Sequence, residues 1–251
     1  MVNVLILAGE DHRNNRLGAA VKALVDINGK PMVQYIVEVL KECDLIDQIG
    51  VIGPYRELYD LLNGHVDHII EGNGTIVDNI MKGINYLGEH KSLLICTSDI
   101  PMLNAEAVRD FVIKSQNTQA QLCYPIVEQG VNEKRFPGIE RTYVTMLDGI
   151  FTGGNIFYIF PGIAKKCSSK AEQLIAYRKN AFKMAKVLGW KTLTLFLSKK
   201  LTIAQAEKKF SEIFGITAKA IVSDYPELAN DVDKPSDLEY MRKQLGMNDF
   251  I

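Results

Sequence analysis

The hydrophobic pattern of this chain switches period repeatedly in its first half, and that alternation limits the folds open to it. Residues 2–8 form a run of strand length, apolar apart from Asn3, ending at Gly9 and a polar loop. Such a run suits a strand covered on both faces. Residues 23–27 read as a short extended piece closed by the turn Asn28-Gly29-Lys30-Pro31. After it, Met32, Tyr35, Ile36, Val39 and Leu40 recur at helical spacing. Strands at 48–52, 66–70 and 92–97 then alternate with helices at 55–62, 76–87 and 105–115. Right-handed crossovers join such strands in parallel, so the pattern predicts a three-layer α/β domain with a mixed, mostly parallel sheet flanked by helices.

The second half changes character. Residues 120–127 and 141–147 read as strands around a loop rich in Glu, Lys, Arg, Pro and Gly, and 155–160 as another. Residues 162–214 read as mostly helical, with Lys and Arg on their faces; 218–222 returns to strand, and a helix over 236–245 takes Ser236 as its N-cap. Trp190 and the aromatic residues around it read as core. The chain of 251 residues is expected to be a single domain, with a helical elaboration at about 162–214.

Composition narrows function. Lys and Arg number 29 against 30 Asp and Glu, a formal net charge of −1. That balance argues against a protein that coats nucleic acid or a membrane surface. Cys43, Cys96, Cys123 and Cys167 are too far apart for a zinc ribbon or a CxxC pair and read as buried thiols. His65 and His68 read as a surface loop. The first residues lack the basic start and long apolar stretch of a signal peptide, and no apolar run reaches a membrane span, so a cytoplasmic location is expected.

Ligands of open α/β sheets bind beyond the carboxyl ends of the strands. After the first strand, residues 7–22 read LAGEDHRNNRLGAAVK, with Gly9, Gly18, Arg13, Arg16 and Lys22. Glycines let backbone approach a polyphosphate and the cations neutralise it. Neither the Walker loop nor the GxGxxG fingerprint is present. After the fourth strand comes Thr97-Ser98-Asp99-Ile100-Pro101, an aspartate placed to hold a divalent metal over a phosphate, with an N-cap or turn role as the alternative. Far downstream, Asn230-Asp231-Val232-Asp233 sets a carboxylate pair before the last helix, where capping is the alternative role for Asp233.

Taken together, LAG-x(6)-RLG-x(3)-K, INGKPMVQYIVEVL, SDIPML and DVDKPSDLEYM resemble the MobA-like nucleotidyltransferases, relatives of the molybdenum-cofactor guanylyl- and cytidylyltransferases and of sugar-phosphate nucleotidyltransferases. The resemblance covers nearly the whole chain. It implies a Rossmann-like, glycosyltransferase A-type fold, Mg2+ as cofactor, and transfer of an NMP group from a nucleoside triphosphate to a small-molecule, phosphorylated acceptor with release of pyrophosphate. It implies that Leu7, Ala8 and Gly9 wall the nucleotide pocket and that Arg16 and Lys22 hold the triphosphate. Asp99 and Asp233 would hold metal, with Asp99 also catalytic, and Gly72, Asn73, Gly74 and Thr75 would recognise the base. Phe151-Thr152-Gly153-Gly154-Asn155 falls on the acceptor side, and Gly153, Gly154, Asn155 and Arg141 are acceptor-binding candidates. Glu10 departs from the pattern, since many relatives carry glycine there, and Val21 replaces a common proline. Nucleic acid and membrane are not expected as partners, and a homodimer is left open. A glycosyltransferase of the same fold that uses a nucleotide sugar, and a non-catalytic nucleotide-binding protein, remain as alternatives.

Overall fold

Nine strands form one sheet, and their order follows from where the chain can cross. The structure is a computed structural model that describes residues 1–9, 17, 19–177, 183 and 187–248. Strand β1 (Val2–Leu7) lies at the heart of the sheet. It pairs in parallel with β4 (Ile46–Gly53) on one side and β6 (Leu93–Thr97) on the other. β5 (His68–Glu71) extends the sheet beyond β4, again in parallel. Helices α1 (Met32–Glu42), α2 (Tyr55–Leu62), α3 (Ile76–Leu87) and α4 (Ala105–Thr118) make the crossovers. Val2, Val4 and Ile6 face one core with α1, α2 and α4, and Leu5 faces the other with α3, so β1 is apolar on both sides. Gly83 of α3 allows this approach: a Cβ there would stand 2.4 Å from the Leu5 side chain.

The other half of the sheet is antiparallel in part. β7 (Leu122–Glu128) and β6 both pair with β10 (Ile156–Ile159), which runs against them. β9 (Gly149–Gly153) runs against the far end of β7 and makes a hairpin with β8 (Val144–Met146). β11 (Ala218–Ser223) closes the other side of β7 in parallel. A two-residue hairpin, β2 (Asp26–Ile27) with β3 (Lys30–Pro31), stands apart. Around these lie α5 (Gln129–Arg135), α6 (Ala164–Tyr177), α7 (Trp190–Leu197), α8 (Ile203–Phe214) and α9 (Pro235–Asn248).

The expected fold class is what the chain adopts, with local corrections. Residues 22–24 form a 3-10 turn, leaving extended backbone only at Asp26 and Ile27. The charged loop after β7 contains α5, and the strand expected over 141–147 shrinks to three residues beside β9. α9 begins at Pro235, so Ser236 lies in its first turn; the cap-like acceptor is Asp237, whose carboxylate receives the Asp233 and Lys234 amides at 3.1 Å each. The four cysteines are buried free thiols. Trp190, expected in the core, is 57% exposed.

Candidate nucleotide and metal site

Strands β1, β4, β5 and β6 end at one edge of the sheet, and the backbone there is tightly layered. The Ala8 amide donates to the Ile52 carbonyl at 2.8 Å, and the Ser98 amide to the Leu7 carbonyl at 3.2 Å. A Cβ at Gly53 would stand 2.6 Å from the Ala8 carbonyl oxygen, and one at Gly72 would stand 3.0 Å from the Gly53 Cα. Glycine at both positions lets β1, β4 and the start of the 72–75 loop cross without spacers. Gly72 donates to the Gly53 carbonyl at 2.7 Å, Gly74 has φ +116°, and Thr75 caps α3 in a reciprocal box with Asp78. Asn73 lies in the same loop, between Gly72 and Gly74. Leu7, Ala8 and Gly9 thus adjoin the 72–75 loop. Asn79 of α3 sits under Gly9, its amide nitrogen 3.8 Å from where a Cβ would be. Its Oδ1, and the Thr97 Oγ1 at the end of β6, are buried without a hydrogen-bond partner. Buried polar atoms left open at the sheet's ligand edge mark groups that a bound molecule could satisfy. Arg16, together with Glu10, Arg13 and Gly18, lies outside the described residues.

The acidic half of the site is assembled from three distant segments. Asp99 follows β6, and its carbonyl accepts from the Val232 amide at 2.9 Å, which clamps the 231–233 segment alongside. In an extended stretch, residues two apart point the same way, so Asp231 and Asp233 both turn toward Asp99. One carboxylate oxygen from each of the three lies within 4.8 Å of the others. Lys22 bridges two of them, its Nζ 2.5 Å from Asp99 Oδ2 and 2.6 Å from Asp233 Oδ1. Burial works against the lysine's charge, yet Asp99 and Asp233 hold it above the ordinary lysine value. Asp233 is more exposed, and Lys22 keeps its carboxyl below the usual range. Asp231 goes the other way. Burial first, then the charge of Asp99, push it up to about 7 against the pull of Arg141.

Arg141, an acceptor-binding candidate, lines the cavity on that side and also reaches behind the carboxylates. Its side chain is 8% exposed and committed inward: Nη1 lies 2.5 Å from Asp231 Oδ1, Nη2 donates to the Asp231 carbonyl, and Nε reaches Asn230 Oδ1 at 2.9 Å. Asn230 is fully buried and donates to Asn132 Oδ1 at 2.6 Å and to the Pro226 carbonyl at 2.7 Å, while Asn132 donates to the Tyr143 hydroxyl at 3.0 Å. This chain of bonds fixes Asp231 from behind. Asp231 itself is absent from the metal ligands expected from sequence, although the Asp-x-Asp spacing at 231 and 233 carried the signal.

Beyond the carboxylates opens a cavity of about 1080 Å³, lined by Tyr124, Tyr143, Arg141, Thr152 and the Gly153-Gly154-Asn155 turn. The chain kinks here between β9 and β10. Gly154 donates to the Pro125 carbonyl at 2.9 Å and Asn155 to the Leu228 carbonyl at 2.7 Å, so backbone, not side chain, seals the turn. A Cβ at Gly153 would stand 2.1 Å from the Tyr124 hydroxyl, and one at Gly154 would stand 2.9 Å from the Leu228 carbonyl. Burial, and then the Asp231 carboxylate, push the Tyr124 phenol up to about 12, which keeps it a proton donor at neutral pH. Lys134, Arg135 and Lys234 lie on this side; Arg135 pairs with Glu227 and Lys234 with Glu140.

Comparison with known proteins gives this geometry its family. Residues 4–199 match the MobA-like NTP transferase domain. A 2-C-methyl-D-erythritol 4-phosphate cytidylyltransferase of Clostridium perfringens is 30% identical over 103 residues, 38% of this chain, and the match spans 44% of that relative's length. A hypothetical transferase structure from Thermus thermophilus superimposes with a TM-score of 0.84 at 32% identity, over 94% of this chain and 99% of the other. A CMP:2-keto-3-deoxy-manno-octonic acid synthetase complexed with CTP shares the fold with a TM-score of 0.63 at 14% identity, over 98% of each chain. The alternating strands, the carboxylates at the sheet's ligand edge and the family match over residues 4–199 agree: the chain belongs to the MobA-like NTP transferases.

Proposed function

We propose that the protein transfers an NMP group from a nucleoside triphosphate to a phosphorylated small-molecule acceptor, with Mg2+ held by Asp99, Asp231 and Asp233. The observation that carries this reading is the convergence of the three carboxylates, with Asp99 Oδ1 buried and lacking a hydrogen-bond partner. Hard carboxylate oxygens left open in this way fit a divalent cation. Bound Mg2+ would neutralise charge on the α-phosphate and the departing pyrophosphate. The reaction forms a bond from an acceptor oxygen to the α-phosphorus and breaks the bond to the bridging oxygen, which leaves with pyrophosphate. No proton has to be taken from a phosphate acceptor, so the protein's task is positioning and charge.

Each residue then has a part. Leu7, Ala8 and Gly9 bound the nucleotide pocket, the 72–75 loop faces the base, and Arg16 and Lys22 take the triphosphate. Lys22 exchanges its carboxylate partners for phosphate oxygens as the nucleotide arrives. Arg141 and Asn230 hold Asp231 in place, as partners behind a metal ligand do. The Gly153-Gly154-Asn155 turn shapes the acceptor cavity. CTP is the first nucleotide to test, because the Clostridium perfringens relative is a cytidylyltransferase. The test is pyrophosphate release from each of the four NTPs with Mg2+ and a panel of sugar and polyol phosphates, set beside Asp99→Asn. Consumption of a nucleotide sugar with no pyrophosphate released in any combination would replace this reading with glycosyl transfer.

A further inference from the structure

The balanced charge of the whole chain hides a strong local excess. Residues 164–200 hold ten Lys and Arg and one acid, Glu172, so they carry +9 while the remainder carries −10. The described part of this region is α6, α7 and the turn after α7. On α6, Lys166 and Lys170 are spent on the Gly215 and Ile213 carbonyls near the end of α8, where cations suit a helix terminus. Lys165, Lys191, Lys199 and Lys200 are exposed.

Beside Lys191, Lys199 and Lys200 lies exposed apolar surface. None of the eight residues of α7, WKTLTLFL, is buried. Trp190, Leu193 and Leu197 fall on one helical face at i, i+3 and i+7, with Trp190 57% and Leu197 67% exposed and Phe196 exposed beside them. The Leu195 carbonyl accepts the Lys200 and Leu201 amides, which folds the chain back after the helix. The Leu201 carbonyl in turn accepts from the Leu147 amide at 3.0 Å, and Asp148 accepts the Ile203 amide at 2.8 Å. The tip of the β8–β9 hairpin is therefore fastened to the segment that joins α7 to α8, and its Leu147 is 66% exposed.

We propose that α7, the 199–200 turn and the β8–β9 tip form a docking face for an anionic lipid bilayer. A tryptophan and leucines on one face with lysines at the margin are what an interfacial helix needs: apolar side chains enter the acyl boundary while cations meet anionic headgroups. A second copy of this chain is the poorer occupant, because a two-fold interface would lay this face on itself and oppose lysine to lysine. The face belongs to the periphery of a water-exposed domain, since no described helix is long and apolar enough to cross a membrane. The hairpin that carries Leu147 also supplies Thr152 and Gly153 to the acceptor cavity, so docking would hold that cavity near the headgroup layer.

The chain has one tryptophan, which makes the face its own reporter. Full-length protein is mixed with phosphatidylcholine vesicles containing about 30% phosphatidylserine, or none. Binding is read by flotation and by the Trp190 emission maximum. The proposal expects co-flotation with the anionic vesicles, a blue shift, and loss of both as salt screens the headgroups. Phe196→Ser with Leu197→Glu, and separately Lys199→Glu with Lys200→Glu, should each weaken partitioning roughly tenfold or more while the melting temperature stays put. Neither pair belongs to the nucleotide or metal site. Failure of the unmodified protein to float with anionic vesicles overturns the proposal. So does equal flotation of the variants, or a protein twice the chain mass that Leu197→Glu splits and that ignores vesicles.

Discussion

Replacing Lys22 with methionine separates two roles that the geometry assigns to one ammonium group. In the ligand-free protein Lys22 neutralises Asp99 and Asp233 at 2.5 and 2.6 Å, with its side chain 25% exposed. Removing one partner of a fully buried pair costs about 3–5 kcal/mol, and partial solvent access brings the expected loss here to about 2 kcal/mol. For a chain of this size that lowers the melting temperature by about 4–8 °C. The same change should tighten Mg2+ binding, because a lysine and a divalent cation compete for the same oxygens. A repulsion of a few kcal/mol disappears, so the affinity gain should be at least ~10-fold. At 100 times its dissociation constant Mg2+ returns about 2.7 kcal/mol, enough to offset the lost lysine. Turnover should nevertheless fall ~100-fold or more, since the triphosphate then loses the Lys22 ammonium. Thermal denaturation against a Mg2+ titration, with pyrophosphate release on the same preparations, reads all three effects. A variant that binds Mg2+ more weakly than the unmodified protein, or that turns over normally, would refute the assigned competition.

Asp99→Asn keeps the shape but removes the carboxylate, and should lower pyrophosphate release ~100-fold or more with the melting temperature within a few degrees; unchanged turnover would remove Asp99 from the site. Arg141→Lys cannot reproduce the forked contact with Asp231 and Asn230, so Mg2+ affinity should fall ~10–100-fold while the acceptor KM stays steady; a change confined to acceptor KM would return Arg141 to the acceptor. Asp231, raised to about 7, stabilises the ligand-free protein most below its unfolded value and loses that contribution as pH rises through about 7. A melting-temperature profile in EDTA should therefore decline over that window and flatten with Mg2+, whereas a profile indifferent to Mg2+ would contradict the shared site. Gly53→Ala forces a Cβ against the Ala8 carbonyl and should cost about 1–3 kcal/mol by urea unfolding; a neutral result would show that β1 and β4 have slack there.

The parallel half of the fold was legible because its periods are long and clean. Helices at Tyr55–Leu62 and Ile76–Leu87 fall where apolar spacing sets them, and Thr75 with Asp78 gives α3 a local start signal. The antiparallel half was harder to read. β8 is three residues long and β9 has glycine at both ends, so neither carries enough alternation to announce a strand; long-range pairing with β7 makes them. α5 hides in a charged sequence, and what decides it is tertiary: Asn132 is buried against Asn230, 98 residues away. Trp190 misled for a related reason. Composition says that large aromatics belong inside, but no residue of α7 is buried.

Legibility of the site divides along chemical lines. Asp99 could be named because it closes a buried strand, a position with few structural alternatives. Asp231 and Arg141 could not be given their roles, because their meaning lies in a pairing across 90 residues. That pairing shows what the site is built to exchange. Among the described residues three carboxylates face two cations, Lys22 and Arg141, and a carboxyl raised to about 7 lets Asp231 carry a proton on the acid side of neutral. A divalent ion that displaces this proton turns a neutral cluster positive just where a polyanionic nucleotide must sit. Arg141, buried and bonded from both sides, has no freedom to leave; Lys22, on a flexible stem and part-exposed, does. The lysine is therefore the member that can pass from carboxylate to phosphate while the arginine keeps the metal-side carboxylate in place.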